Sequence, residues 1–175
     1  PFPLILTGPR SAAPYLEQLH AFVAATLGEA AHGLYQLIID DPAEVARQMT
    51  EGLKSVCQFR RERNDAFHFN WLLRIEETFQ HPFDPTHENM AALELNRQMP
   101  KHELAANLRR AFSGIVAGNV KNHGIRRIEQ YGPYEIRGES AIMRPLDALL
   151  RAFVEQHRMK LPGGAPYVPC YRVVE

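Results

Sequence analysis

A chain of 175 residues, 45% apolar and 23% charged, is long enough to bury a core and too apolar to be disordered by composition. Twenty basic side chains balance twenty acidic ones, which argues against a protein that coats nucleic acid by charge and leaves any anion binding to a local cluster. Cys57 and Cys170 offer neither a zinc-ligand spacing nor a disulfide framework, and no apolar run reaches the roughly 18 residues of a membrane span, so a reducing cytoplasm is expected.

Near the start, Leu4, Ile5 and Leu6 close on Thr7-Gly8, the pattern of a parallel strand buried on both faces. Leu16, Leu19, Val23 and Leu27 then recur at helical spacing, and Gly28 stops the helix. Leu37 to Ile39 form a second strand. Asp41 is placed to cap the next helix, Pro42 suits its first position and Glu44 completes a capping-box pattern. Val45, Met49 and Leu53 mark the side that this helix is expected to bury. Strand, helix, strand, helix within about 55 residues is a βαβα unit with parallel strands, which needs further strands beside it.

From Lys54 to Arg63 the composition turns polar and basic, as in a connector. Residues 66–71 alternate and are rich in aromatics, predicting a strand whose Trp71 anchors a core or an interface. Asp84 can cap a helix with Pro85 in its first turn, so His87, Glu88 and Asn89 gather at an N-terminus that favours anions. The plain alternative is a capped structural turn. His87-Glu88 lacks the second histidine of a zinc protease motif, because residue 91 is Ala; no metal and no cofactor is expected.

After Pro100 a long helix carries Leu104, Leu108, Phe112 or Ala111, Ile115 and Val116 on one side, and Gly124 is expected to close it. Gly114 and Gly118 inside it cost about 1 kcal/mol each against Ala, which points to close approach of another helix or subunit. Arg109, Arg110, Asn119, Lys121, Arg126 and Arg127 form a basic group. It is either a solvated face or a phosphate-reading patch, since guanidinium offers two parallel donors to a phosphate. Tyr134–Arg137 reads as a strand, Gly138 as a turn, and Ser140 as the cap of a helix with Leu146, Leu149, Leu150, Phe153 and Val154 apolar and a kink or restart at Pro145. The closing "YVPCYRVV" contains Pro169 and so is expected at a sheet edge.

The stretch "PLILTGPRSAAPYLEQLHAFVAATLGEAAHGLYQLIIDDPAEVARQM" resembles the C-terminal end of the nucleotide-binding domain of the Lonely Guy family of nucleoside monophosphate phosphoribohydrolases. "FNWLLRIEETFQHPFDPTHENMAAL", "LRRAFSGIVAGNVKNHGIRRIEQYGPYEI" and "FVEQHRMKLPGGAPYVPCY" resemble the C-terminal extension of bacterial nucleotide 5'-monophosphate nucleosidases of that family. The resemblance implies an α/β fold in which residues 1–55 are the C-terminal βαβα part of a Rossmann-like parallel sheet. Residues 56–175 would then be a mostly helical α+β extension. The implied activity is hydrolysis of the N-glycosidic bond of a nucleoside 5'-monophosphate to base and ribose 5-phosphate, in a homo-oligomer.

The family's P-G-G-x-G-T-x-x-E signature, with its catalytic glutamate, does not occur here. Pro162-Gly163-Gly164 shares its first letters, but the Thr and Glu are absent and Pro166 and Pro169 would break the helix, so this segment reads as a turn. The chain is therefore expected to be the C-terminal part of a longer nucleosidase, with no catalytic residue of its own and no activity alone. The candidate substrate contacts are Thr7, Gly8 and Arg10, at the carboxyl end of a strand where α/β sheets bind ligands, together with His87, Glu88 and Asn89. A plain βα turn is the alternative for the first three. A second reading makes the extension a regulatory or oligomer-forming module that binds an anionic nucleotide effector through Arg109, Arg110, Asn119, Lys121, Arg126 and Arg127. Neither a nucleic acid nor a membrane is an expected partner.

Overall fold

The computed structural model describes residues 3–64 and 82–174; the strand expected at 66–71, with Trp71, lies outside them. Strand β1 (Ile5–Gly8) turns through a 3-10 segment, Arg10–Ala12, into α1 (Ala13–Leu27), followed by the short α2 (Glu29–His32), β2 (Gln36–Ile39) and α3 (Pro42–Glu62). β1 and β2 are parallel, with Ile5 opposite Gln36 and Gly8 opposite Ile39. Gly28 ends α1 at φ +85°, a conformation that favours glycine, and its N–H bonds the Ala24 carbonyl.

Asp41 caps α3 as its spacing predicts, Oδ1 accepting from the Glu44 N–H at 2.9 Å. Only half of the capping box forms. The Glu44 carboxylate turns forward to Arg47, which also pairs with Glu51 at 2.8 Å. The polar stretch from Lys54 to Arg63 is not a connector, because α3 runs on to Glu62. Lys, Arg, Gln and Glu are good helix formers, and Gln58 donates to Glu62 one turn on, so polarity there marks a solvated face. The expected burial also fails: Val45 is half-buried, but Met49 and Leu53 are 38% and 47% exposed.

The rest of the described chain forms α4 (His87–Ala91), β3 (Glu94–Leu95), α5 (Lys101–Val120), α6 (Asn122–Tyr131), β4 (Tyr134–Gly138), α7 (Ser140–Glu155), a 3-10 turn at Pro162–Gly164 and β5 (Tyr171–Val174). Its sheet has the order β3-β4-β5 and is parallel throughout, so helices make both crossovers and β5 takes the edge beyond Pro169. Tyr134 and Ile136 of β4 share a core with Met90, Leu104, Ile115 and Leu146 from the surrounding helices. α1 lies against α7, with the Tyr15 ring 5.1 Å from Phe153, and Arg97 Nη2 donates to the Ala25 carbonyl near the end of α1. The molecule is thus of mixed α/β class, with two parallel sheets among the described residues. Among the described residues no helix is long and apolar enough to cross a membrane.

Local caps differ from expectation where a nearer partner wins. Thr86, not Asp84, caps α4, its hydroxyl accepting from the Asn89 N–H at 3.0 Å. Gly124 does not close α5: extended Lys121 breaks the helix, and Gly124 sits in the first turn of α6, where a Cβ would lie 2.3 Å from the Ala117 carbonyl oxygen. Ala111 rather than Phe112 takes the buried position, Phe112 packing edge-on to Phe153. Ser140 is the first helical residue behind Glu139 and makes no side-chain cap, while α7 passes Pro145 without ending. Gly118 faces Cys170 and Gly114 faces Met90, so the close approach foreseen for them is made within this chain.

Candidate functional site

Parallel strands end their chemistry at their carboxyl edge, because the loops that follow gather there. Thr7 is exposed at that edge of β1, and Gly8 lies under α1, where a Cβ would come within 3.1 Å of the Ala12 Cβ. The Gly8 carbonyl accepts from the Asp40 N–H at 2.9 Å, and Asp40 is held at φ +56°. Its carboxylate then stands 3.6 Å from Arg10, whose side chain is 89% exposed. Thr7, Gly8, Arg10 and Asp40 therefore share one corner, where an exposed guanidinium stands beside a carboxylate. Asp40 was not foreseen; its position directly after the apolar run Leu37–Ile39 would have revealed it.

A second corner is built on α4. His87 Nε2 lies 2.9 Å from the Gly132 carbonyl and therefore carries the hydrogen, while its ring packs on Tyr131 and Tyr134. That occupies one face of the imidazole in structure. Glu88 is exposed, and Asn89 Nδ2 donates to the Asp84 carbonyl at 2.8 Å. Arg127 Nη1 donates to Asp84 Oδ1 at 2.8 Å and to the Pro85 carbonyl at 3.3 Å, tying α6 to this segment. The Asp84 carboxylate raises the guanidinium's affinity for its proton. Beside this knot lies an open cleft of about 490 Å³ lined by Pro82, Phe83, Asp84, Asn89, Asn107 and Arg110, among others. Arg110 Nη1 donates to Asn107 Oδ1 at 3.0 Å, and Asn107 Nδ2 to the Glu94 carbonyl at 3.0 Å. The cleft so presents one cation and two amides beside the Asp84 carboxylate, whose charge Arg127 pairs. Asn107 was missed, although its place one helical turn before Arg110 is legible as a pair.

The basic group does not converge. Arg110 lines the α4 cleft and Arg127 reaches only its Asp84, while Arg109 faces an apolar hollow of about 320 Å³ with Phe22, Phe112 and Phe153. Asn119 turns inward, Nδ2 donating to the Ile115 carbonyl at 2.9 Å and to Cys170 Sγ at 3.0 Å. Lys121 and Arg126 are exposed. Among the described residues no three His, Cys, Asp or Glu side chains are arranged to hold a metal ion.

Burial pushes the Cys170 thiol up to about 12, against the opposing pull of its hydrogen bonds. The core accepts the neutral thiol, so this contribution to stability is complete below the ordinary thiol range near 8.5 and is lost as pH climbs toward 12. At pH 8.5 iodoacetamide should label half-buried Cys57 well ahead of buried Cys170 in the native protein, and both alike in denaturant. Equal native labelling, read by peptide mass spectrometry, would contradict the burial.

The fold and these corners describe an α/β chain with a guanidinium at a strand edge and another in a helix-lined cleft. The family described as "pyrimidine/purine nucleotide monophosphate nucleosidase, C-terminal" matches residues 53–174. The chain belongs to that family. The pyrimidine/purine nucleotide 5'-monophosphate nucleosidases of Escherichia coli strains K12 and O157:H7 are each 58% identical to it over 171 residues, 98% of this chain. The chain spans 37% of the length of those relatives.

Proposed function

We propose that the chain is the C-terminal portion of a nucleosidase that hydrolyses the N-glycosidic bond of purine and pyrimidine nucleoside 5'-monophosphates to base and ribose 5-phosphate. The observation that carries this is 58% identity sustained over 98% of the chain with proteins bearing that name. Cleavage at the anomeric carbon develops positive charge on the ribose ring, which needs a carboxylate to stabilise it or to activate water, and donors to hold the phosphate. The P-G-G-x-G-T-x-x-E signature does not occur in these residues, so the chain's own part is to wall the pocket and contact substrate. Thr7, Gly8 and Arg10 are the contacts proposed at the β1 edge.

The parallel β1–β2 pair supports a Rossmann-like, Lonely Guy-type half in residues 1–55, and a family match that starts at residue 53 supports an extension in 56–175. Two free cysteines accord with a reducing cytoplasm. The assembly is a homo-oligomer. Chromatography of bases released from AMP and UMP tests the reading: the 175-residue chain should release none, and a longer protein that includes the signature should release both. In that longer protein Arg10→Ala should raise KM about tenfold, the loss of one charged hydrogen bond. No release by the longer protein, or turnover by this chain alone, would overturn it.

The α4 cleft favours a second role beside the first, the binding of an anionic nucleotide effector. Arg110, Asn107 and Asn89 supply a cation and two amides there, with Arg127 adjacent. Titration with a nucleoside triphosphate should show Arg110→Ala binding about tenfold more weakly than the parent. Unchanged affinity would remove Arg110 from the site.

A further inference from the structure

Two aspartates follow β2, and the fold accounts for the side chain of only one. Asp41 caps α3 through its Oδ1. Asp40 is held at φ +56°, a conformation that costs most residues with a side chain but that aspartate tolerates. Its N–H bonds the Gly8 carbonyl at 2.9 Å and so carries the β1–β2 ladder one step past Ile39. Gly8 and Ile39 are level in the parallel register, so Asp40 and the turn at Pro9 and Arg10 emerge side by side at the carboxyl edge. That placement is set by strand pairing and does not depend on how open the edge is.

The Asp40 carboxylate is not consumed by its neighbours. Arg10 approaches it through Nε at 3.6 Å, beyond hydrogen-bond reach, and among the described residues no donor bonds it. A carboxylate at the end of the second strand of a βαβ unit, beside the turn that follows the first, is placed to accept from the hydroxyls of a ribose whose phosphate lies at that turn. Its two oxygens suit vicinal hydroxyls, and the guanidinium next to it suits the phosphate of the same molecule.

We propose that Asp40 accepts a hydrogen bond from the ribose 2'-hydroxyl of the nucleoside 5'-monophosphate, and so favours ribonucleotides over 2'-deoxyribonucleotides. This rests on the nucleosidase reading above, with Arg10 at the substrate, and names the group that reads the sugar. A bond to the hydroxyl beside the anomeric carbon tightens as charge develops on the ring, so the preference falls on kcat/KM. A site built to bond a hydroxyl rejects the analogue that lacks it.

Adenine release from AMP and 2'-deoxy-AMP by the longer protein that includes the signature tests it, the deoxynucleotide being read as a competitive inhibitor if it is not cut. Asp40→Ala should lower kcat/KM for AMP at least tenfold and leave the constant for 2'-deoxy-AMP unchanged, so that the ratio of the two falls by the same factor. Comparing that ratio between parent and variant cancels any intrinsic difference in reactivity of the two substrates. Asp40→Asn tolerates the same backbone conformation and guards against misfolding; its neutral amide oxygen is a weaker acceptor, so the ratio should fall about threefold or more. An unchanged ratio, or equal losses on both nucleotides, would assign Asp40 to the turn alone and overturn the proposal while the nucleosidase reading stands. No adenine released from AMP by the parent would overturn both.

Discussion

Tyr134→Ala should lower the free energy of unfolding by about 3–5 kcal/mol, whereas Tyr134→Phe should leave it unchanged or raise it by about 1 kcal/mol. Tyr134 opens the central strand of the three-stranded sheet, is fully buried, and its N–H bonds the Cys170 carbonyl at 2.9 Å. Its ring is a shared wall: His87 packs on one side at 4.8 Å between centroids, and α5 comes up beneath it at Gly118. Truncation therefore leaves a cavity bounded by elements that are fixed by other contacts and cannot collapse into it. The hydroxyl is a different matter. It is buried with no hydrogen-bond partner among the described residues, and burial raises its pKa. Removing it relieves a desolvation cost and loses no bond. Each kcal/mol moves the melting temperature of a domain this size by about 2–4 °C, so calorimetry separates the two variants clearly. A phenylalanine variant as damaged as the alanine one would show that the hydroxyl has a partner, and the His87 corner would have to be redrawn around it.

Much of the fold is legible in the sequence because it is written in local chemistry. The strands of the first unit, the cap at Asp41 and the stop at Gly28 each act through immediate neighbours and form where their patterns say, although the burial expected of Leu4–Leu6 is not met: Leu4 lies outside β1 and is 57% exposed. What is not legible depends on distant residues. β3 is two residues long, and only its pairing with Arg137 and Gly138 makes it a strand. Asp84 has the right type and place to cap a helix, but Arg127, 43 residues on, claims its carboxylate, and Thr86 takes over the cap. Arg109 and Arg110 are adjacent in sequence and so point to different faces of α5, one toward an apolar hollow and one toward the α4 cleft. Clustering along the chain is thus a poor guide to clustering in space on a helix. The strand-edge corner follows the opposite logic: Thr7, Gly8 and Arg10 are recoverable because a βα turn keeps sequence neighbours together, and only Asp40, from the next strand, had to be supplied by the fold.

Gly118→Ala should destabilise the protein by about 1–3 kcal/mol, and more than Gly114→Ala does, although the bare distances suggest the reverse. A Cβ at Gly114 would sit 2.3 Å from Met90 Sδ, nominally the worse clash, and 3.2 Å from Pro85 Cβ, a contact that needs a shift of only a few tenths of an ångström. Methionine is unbranched and can move its thioether aside, so much of that clash is relieved by rotation. At Gly118 the Cβ would meet Cys170 Sγ at 2.7 Å and Tyr134 Cε2 at 3.1 Å. Neither can yield. Cys170 has a single rotatable bond and is held by Asn119 and the Ile115 carbonyl, and the Tyr134 ring is locked in the core. Helix propensity favours alanine over glycine by about 1 kcal/mol at both positions, so Gly114→Ala can come out near neutral while Gly118→Ala cannot. A double-mutant cycle isolates the cause: Cys170→Ala deletes the sulfur, and in that background Gly118→Ala should recover at least half of its loss. Additive effects in the cycle would mean that the clash lies with Tyr134 instead, and the corner where α5, β4 and β5 meet would then be held by the ring and not by the thiol.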